Sequence, residues 1–278
     1  MSEYKIRVIP EDKYQAFMKK AEGGQMACTH LASLSLDGTS GEFFIKLFKN
    51  SESFGISNEI TGYLLAHASG VPVPEHACLV KVPDLVMNEL GLNPNDYNNG
   101  VAFAISKVLG KTPASYWNLN MIPQCTSLMS LIASWDKVHD VICFDDWVAN
   151  LDRNIGNIVV ENGNKISVID HSNMPYDLVW DKKLLNYEDN LMEQNKLLNA
   201  IKYFKQYDSG IPLPEAVSIC TANDKHYSAF LSVESELNHW WSALLPLGHN
   251  DSLNSFFKER ANHGSKRIAL DLGLLVGF

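Results

Sequence analysis

The sequence predicts an α+β fold of two lobes, a small β-rich N-terminal lobe with one main helix and a larger, mostly helical C-terminal lobe. Three observations predict it. Short strand-like runs separated by turn residues fill the first hundred positions, helical periodicity dominates after Lys111, and a single short strand pair interrupts the helical half. The 278 residues suffice for one large domain or two modest lobes, divided here at 1–108 and 109–278.

Leu31 to Leu36 and Glu42 to Phe48 are apolar runs on either side of Asp37-Gly38-Thr39-Ser40-Gly41, which is turn chemistry, so they read as a β-hairpin. A helix is expected from Ser57 to Ser69. Ser57 is its cap, Glu59 lies in the first turn, Ile60, Leu64 and Ala68 recur on one face, and Gly70 with Pro72 ends it. Val71 to Val82 and Gly100 to Val108 read as further strands around an Asn-rich loop at 93–99. Beyond, helices are expected over Thr126–Leu151, Asp181–Gln206, Asp224–Leu245 and Ser252–Leu275. Ile158–Val160 and Ile166–Ile169 form the interrupting strand pair, joined through Asn162-Gly163, a strong hairpin signal.

Composition removes several function classes. The formal net charge of -9 repels nucleic acid and anionic membrane at long range, so neither is expected as a direct partner. The N-terminus has no apolar run of signal-peptide length, and no window reaches the roughly 20 apolar residues that span a bilayer. The five cysteines are scattered, odd in number and without a Cys-x-x-Cys pair, which fits reduced core thiols in a cytoplasm better than a disulfide framework or zinc site. No His-Glu-x-x-His or Gly-x-Ser-x-Gly occurs. His30 and His139 read as structural or surface residues, and Trp240-Trp241 and Phe256-Phe257 as core.

One segment concentrates chemistry. Asp152 follows a helix end near Leu151, Asn157 stands at the mouth of the first hairpin strand, and Asp170 closes the second. A hairpin returns the chain to its starting edge, so these three side chains should converge on one rim. Two carboxylates and a carboxamide make a hard, oxygen-rich site suited to Mg²⁺. Phosphoryl transfer needs such a set, an Asp for the attacking hydroxyl and oxygen ligands for metal on the nucleotide phosphates.

Asp-Arg-x-x-x-Asn followed by a short hairpin and Ile-Asp resembles the catalytic and metal-binding loops of HipA-like kinases and the related phosphatidylinositol 3-/4-kinase-like branch of the protein-kinase-like fold. Ala68-Ser69-Gly70-Val71-Pro72-Val73-Pro74 also resembles a HipA-like helix end. The resemblance covers about residues 20–175. It implies that Asp152 is catalytic, that Asn157 and Asp170 hold Mg²⁺, and that Lys46 contacts the ATP phosphates while paired with Glu59. Gly23, Gly24 and Gln25 would cover the phosphates, and Ser106 lies on the strand meeting adenine. Asn154 replaces the usual lipid-kinase His, and His171-Ser172 replaces the Phe-Gly of ordinary protein kinases. The activity implied is a HipA-like serine/threonine protein kinase, with ATP and Mg²⁺, a protein substrate, and a toxin-like role with an antitoxin-type partner.

Plainer readings stand beside each residue. Asp152 and Asn157 can build a turn, Asp170 can cap a helix, Lys46 can guard an edge strand, and Glu59 can complement a helix dipole. Gly23 and Gly24 can form an ordinary turn. At the level of the whole chain, the rivals are a nucleotide-binding module without turnover and a small-molecule or lipid kinase of the same fold.

Overall fold

The computed structural model describes residues 5–21, 27–162, 165–207 and 210–274. Two strands open the chain, β1 (Arg7–Ile9) and β2 (Tyr14–Lys20). Sequence periodicity misses both, since β1 is three residues long and β2 is a largely exposed edge strand. β3 (Cys28–Leu36) and β4 (Thr39–Leu47) form the expected hairpin, but the turn is only Asp37-Gly38. Both residues have positive φ, 52° and 79°, the backbone that matches strand twist in a two-residue hairpin. Thr39, Ser40 and Gly41 therefore pair as strand rather than turn.

The main helix, α1 (Gly55–Ala68), starts two residues before the expected cap. Ser57 lies inside it, buried, with its carbonyl accepting from the Thr61 hydroxyl at 2.7 Å. Gly70 at φ 74° turns the chain out of the helix, as Gly70-Val71-Pro72 predicts. β5 (Ala77–Lys81) and β6 (Val101–Ser106) follow, separated by an unforeseen short helix, α2 (Asp84–Leu90), and by the Asn-rich loop. These strands complete a six-stranded sheet in the order β1-β5-β6-β4-β3-β2. One face packs Phe43, Ile45, Ala102 and Ala104 against Val86, Met87 and Leu90 of α2. The other carries Phe103 and Ile105 into the larger core with α1 and the C-terminal helices.

A second, three-stranded sheet joins β7 (Gly110–Lys111), β8 (Ile158–Glu161) and β9 (Ile166–Val168). The remainder is helical: α3 (Pro113–Trp117), α4 (Ile122–Ala133), α5 (Val138–Trp147), α6 (Lys196–Lys205), α7 (Leu213–Thr221), α8 (His226–Leu244) and α9 (His249–Asp271). Two expected helices are broken. Thr126–Leu151 is interrupted at Ser134, whose hydroxyl caps the Ser130 and Leu131 carbonyls, and it ends at Trp147. Of Asp181–Gln206 only the stretch from Lys196 is α-helical, because Asn195 caps that start by accepting the Leu198 N–H at 2.8 Å. Trp240, Trp241, Phe256 and Phe257 are buried core, as their sequence context predicts. Among the described residues no helix is long and apolar enough to cross a membrane.

Candidate active site

Strand alternation places Lys46. On β4, Phe43, Ile45 and Leu47 face the smaller core, so Phe44 and Lys46 face the opposite side. β4 is hydrogen-bonded to β3 on one side and β6 on the other, so an edge-guarding role for Lys46 is excluded. Its ammonium pairs with Glu59 Oε1 and lies 3.0 Å from Asp170 Oδ1. Glu59 is the fifth residue of α1 and completely buried, too deep for a first-turn dipole partner; its second oxygen accepts the His171 N–H at 3.2 Å.

The three groups settle as one unit. Burial lowers the Lys46 pKa, but Asp170 and Glu59 outweigh it and the net shift is upward. Burial raises Glu59 above the usual carboxylate range, and Lys46 only partly offsets this. For Asp170, burial is overcome by Lys46 and the Ser172 hydroxyl, so its carboxyl is held well below the usual range. Two carboxylates share one ammonium, and the more deeply buried one keeps the higher proton affinity.

α5 ends at Trp147 and Ala149 takes φ 53°, which sends the chain into the loop carrying Asp152. The Asp152 carbonyl accepts the Asn154 N–H at 2.6 Å and the Asn157 side-chain N–H at 2.9 Å. Turn building is thus done by the backbone of Asp152 and the nitrogen of Asn157, which leaves the Asp152 carboxylate for the cleft. That carboxylate meets Lys196 Nζ at 2.5 Å and Asn173 Nδ2 at 3.0 Å.

Between these residues Arg153 turns inward and is fully buried. Its Nε donates to both Asp145 oxygens at 3.2 Å, and Nη2 donates to Asp145 Oδ1 at 3.1 Å. Nη1 reaches the carbonyls of Ile169 at 2.5 Å and Asp170 at 3.3 Å. Nη2 also donates to His171 Nδ1 at 3.1 Å, and a guanidinium can only donate, so that nitrogen carries no proton. Burial and then the charges of Arg153 and Lys46 hold His171 neutral, with its pKa well below the ordinary value. Asp170 itself sits at φ 64°, a conformation unusual for a residue with a side chain, and its Oδ1 accepts the Ser172 hydroxyl at 2.8 Å. No helix begins there, so the cap reading of Asp170 fails.

Lys46, Asp152, Asn157 and Asp170 all border one open cavity of about 840 Å³. A neighbouring recess of about 240 Å³ shares Lys46, Gly156 and Asp170 with it and is walled by Phe44, Ile105, Val108, Val159 and Ile169. Ser106 lies on this recess, and its hydroxyl accepts the His76 N–H at 3.1 Å. Gly23, Gly24 and Gln25 lie outside the described residues.

The donor set fits Mg²⁺. Asp170 offers a carboxylate held ionised, and Asn157 uses its nitrogen on the Asp152 carbonyl, which leaves its amide oxygen for the cleft. Among the described residues no group of three or more His, Cys, Asp or Glu forms a cage that could hold a metal unaided. Mg²⁺ commonly takes only one or two protein oxygens and completes its shell with water and substrate phosphates.

Sequence reasoning missed Lys196, Asn173 and the Arg153–Asp145 pair. Lys196 is 44 positions from Asp152, and nothing local in the sequence ties the two together. Asp145 carried a faint signal, a carboxylate within the apolar helix run Val141–Trp147 that needs a buried cation.

Comparison with known proteins agrees with this geometry. No curated protein matches the chain in sequence. The fold matches the crystal structure of CtkA, a proinflammatory kinase of Helicobacter pylori, with a TM-score of 0.55 at 14% identity, covering 93% of this chain and 98% of that one. Residues 34–188, more than half of the chain, match the HipA-like kinase profile. The chain belongs to the HipA-like kinase family.

Proposed function

We propose that the protein transfers the γ-phosphoryl group of ATP to a hydroxyl, as a serine/threonine protein kinase of the HipA-like type. The observation that carries this reading is the meeting of Lys46, Asp152, Asn157 and Asp170 at one cleft, from three separate stretches of chain. The apolar recess beside Phe44, Ile105 and Val159 suits the flat face of adenine, with Ser106 on its wall. Lys46, steadied by Glu59, faces the phosphates. Asn157 and Asp170 are the residues that would hold Mg²⁺, which when bound neutralises charge on the phosphates. Asp152 orients the acceptor hydroxyl and takes its proton. The acceptor oxygen bonds to the γ-phosphorus while the bond to the β–γ bridging oxygen breaks, and that electron pair leaves with ADP.

The same reading takes residues 1–108 and 109–278 as the two lobes, supported by the large sheet ending at Ser106. A cytoplasmic location draws on the five free cysteines. A protein substrate, a toxin-like role and an antitoxin-type partner draw on the family resemblance alone. Gly23, Gly24 and Gln25 are proposed as the phosphate-covering loop on their place ahead of β3.

The test is incubation with γ-labelled ATP and Mg²⁺, with and without added protein acceptors. Label should be incorporated by the wild type and fall by roughly 10²-fold or more in Asp152→Asn, the usual worth of a positioned base. A nucleotide-dependent rise in melting temperature without any transfer would instead favour the binding-module reading. That reading has one specific support, the engagement of both Asp152 oxygens by Lys196 and Asn173. Strong labelling of an inositol lipid or other small molecule, with no protein labelled, would move the assignment to a small-molecule kinase.

A further inference from the structure

We propose that Lys196, far from the catalytic loop in sequence, is the cation that binds the γ-phosphate oxygens of ATP, and that without ATP the same ammonium covers Asp152. This rests on the kinase reading above and adds a residue that the family motif does not contain.

Charge on the transferring phosphoryl oxygens has to be met by cations placed in advance. Only two cationic side chains border the main cavity among the described residues, Lys46 and Lys196. Lys46 is 12% exposed and already held between Glu59 and Asp170. Arg153, next to Asp152 in sequence, is buried and turned onto Asp145. The following position is Asn154, whose side chain closes the loop on the Asp152 carbonyl and the Gly156 N–H. The catalytic loop therefore offers no free cation of its own.

Lys196 is suited to fill that need. Its side chain is 52% exposed, and an ion pair so open to water is worth about 0–1 kcal/mol, so the ammonium can leave Asp152 at little cost. Its backbone, by contrast, is firmly seated. Lys196 opens α6 directly after Asn195, which is buried and donates to the Ile142 carbonyl at 3.2 Å, and before the buried Leu197 and Leu198. A cation in the first helical turn is opposed by the helix dipole, so helix stability does not account for it there. The ammonium, set at the start of a helix already capped by Asn195, favours an anion.

Asn173 makes the exchange workable. It holds Asp152 Oδ2 at 3.0 Å, while Lys196 holds Oδ1. When the ammonium moves to the γ-phosphoryl oxygens, the carboxylate keeps its orientation through Asn173, and Oδ1 becomes available to the acceptor hydroxyl. The γ-phosphate then draws the ammonium off Asp152 and shifts the balance towards the uncovered carboxylate. ADP presents no γ-phosphate.

Calorimetric titration with ATP and with ADP, both with Mg²⁺, tests this on the full chain. The wild type should bind ATP at least about tenfold more tightly than ADP, the scale of one charge-assisted contact. Lys196→Met should lower ATP affinity by roughly 10-fold or more, on the same grounds, and leave ADP affinity within about twofold. Lys196→Arg should restore most of the ATP preference. Equal wild-type affinity for the two nucleotides, or an unchanged ratio in Lys196→Met, would overturn the proposal, as would a parallel loss of both affinities. A wild type that shows the ATP preference but never transfers phosphate would refute the kinase reading while upholding Lys196 as the γ-phosphate contact.

Discussion

Arg153→Met should be among the most damaging single substitutions in the molecule. The guanidinium and the Asp145 carboxylate are both fully removed from water and share three hydrogen bonds of 3.1–3.2 Å. Removing one partner of a buried ion pair typically costs roughly 3–5 kcal/mol, because the other charge is left without compensation. The carbonyls of Ile169 and Asp170 and the His171 ring lose a donor as well. At roughly 2–4 °C per kcal/mol for a chain of about this size, the melting temperature should fall by about 6–20 °C. Calorimetric melting of the wild type, Arg153→Met, Asp145→Asn and the double variant supplies both the loss and its origin. If the stranded carboxylate dominates, the double variant will be at least about 1 kcal/mol more stable than the two single losses summed. A drop under about 2 °C in Arg153→Met, or strict additivity in the double variant, would refute the reasoning.

Gly62→Ala should destabilise although alanine is the better helix former, because its Cβ would lie 2.2 Å from His171 Cβ; a loss of about 1–3 kcal/mol is expected in urea unfolding, and a gain would mean that His171 moves freely. Stability should also fall in mild acid. Burial lowers His30 to about 4 and His226 to about 3, and holds His171 low, so below 6.5 the unfolded chain binds protons that the folded one refuses. His30 alone accounts for roughly 3 kcal/mol lost between pH 6.5 and 4. Glu59, raised to about 7, works the other way, since its contribution to stability is present at low pH and lost as pH rises towards 7. Burial raises Asp145 and Asp271 in the same sense, but His67 and His139 are lowered with the other three histidines and titrate nearer the window. Urea midpoints that stay level from pH 7 to pH 5 would contradict this balance. Lys46→Met should weaken ATP binding by roughly 10–100-fold in titration calorimetry, the scale of a lost charge-assisted contact, and unaltered affinity would remove Lys46 from the phosphate site.

The parts of the site legible in the sequence are those set by short-range rules. Asp-Arg-x-x-x-Asn fixes its own loop through bonds among Asp152, Asn154 and Asn157, and the following strand pair returns Asp170 to the same rim. Strand alternation puts Lys46 on the cleft side once β4 is recognised. Helix α1 is visible in the sequence, but its start is not, because Ser57 looks like a cap whereas burial on every side is what decides that helix. Lys196 and Asn173 were invisible for another reason. Their partner is Asp152, at separations of 44 and 21 residues, and only tertiary packing brings them to it. Helix lengths beyond residue 126 failed where polar caps at Ser134 and Asn195 override an apolar period.

The way α1 is held bears on how such a site can be controlled. A lysine–glutamate pair can be switched if the helix carrying the glutamate swings away from the sheet. Here that freedom is absent. Asn58, one residue before Glu59, donates to the carbonyls of Ser172 and Leu178 at 2.7 and 3.1 Å and accepts from the Trp180 indole at 3.1 Å. Two residues after Glu59, the Thr61 hydroxyl accepts the Trp241 indole N–H of α8 at 2.8 Å. Gly62 abuts His171, and Glu59 itself binds the His171 N–H. Swinging the helix would strand buried polar groups on both sides, each at a cost of about 1–3 kcal/mol. The Lys46–Glu59 pair is therefore a built-in part of the core, and control by helix displacement would require breaking the core itself. What can move at low cost lies across the cleft, where the half-exposed Lys196 ammonium rests on Asp152. On the proposal for Lys196, regulation of this site by nucleotide would be one side chain changing partners on a fixed frame.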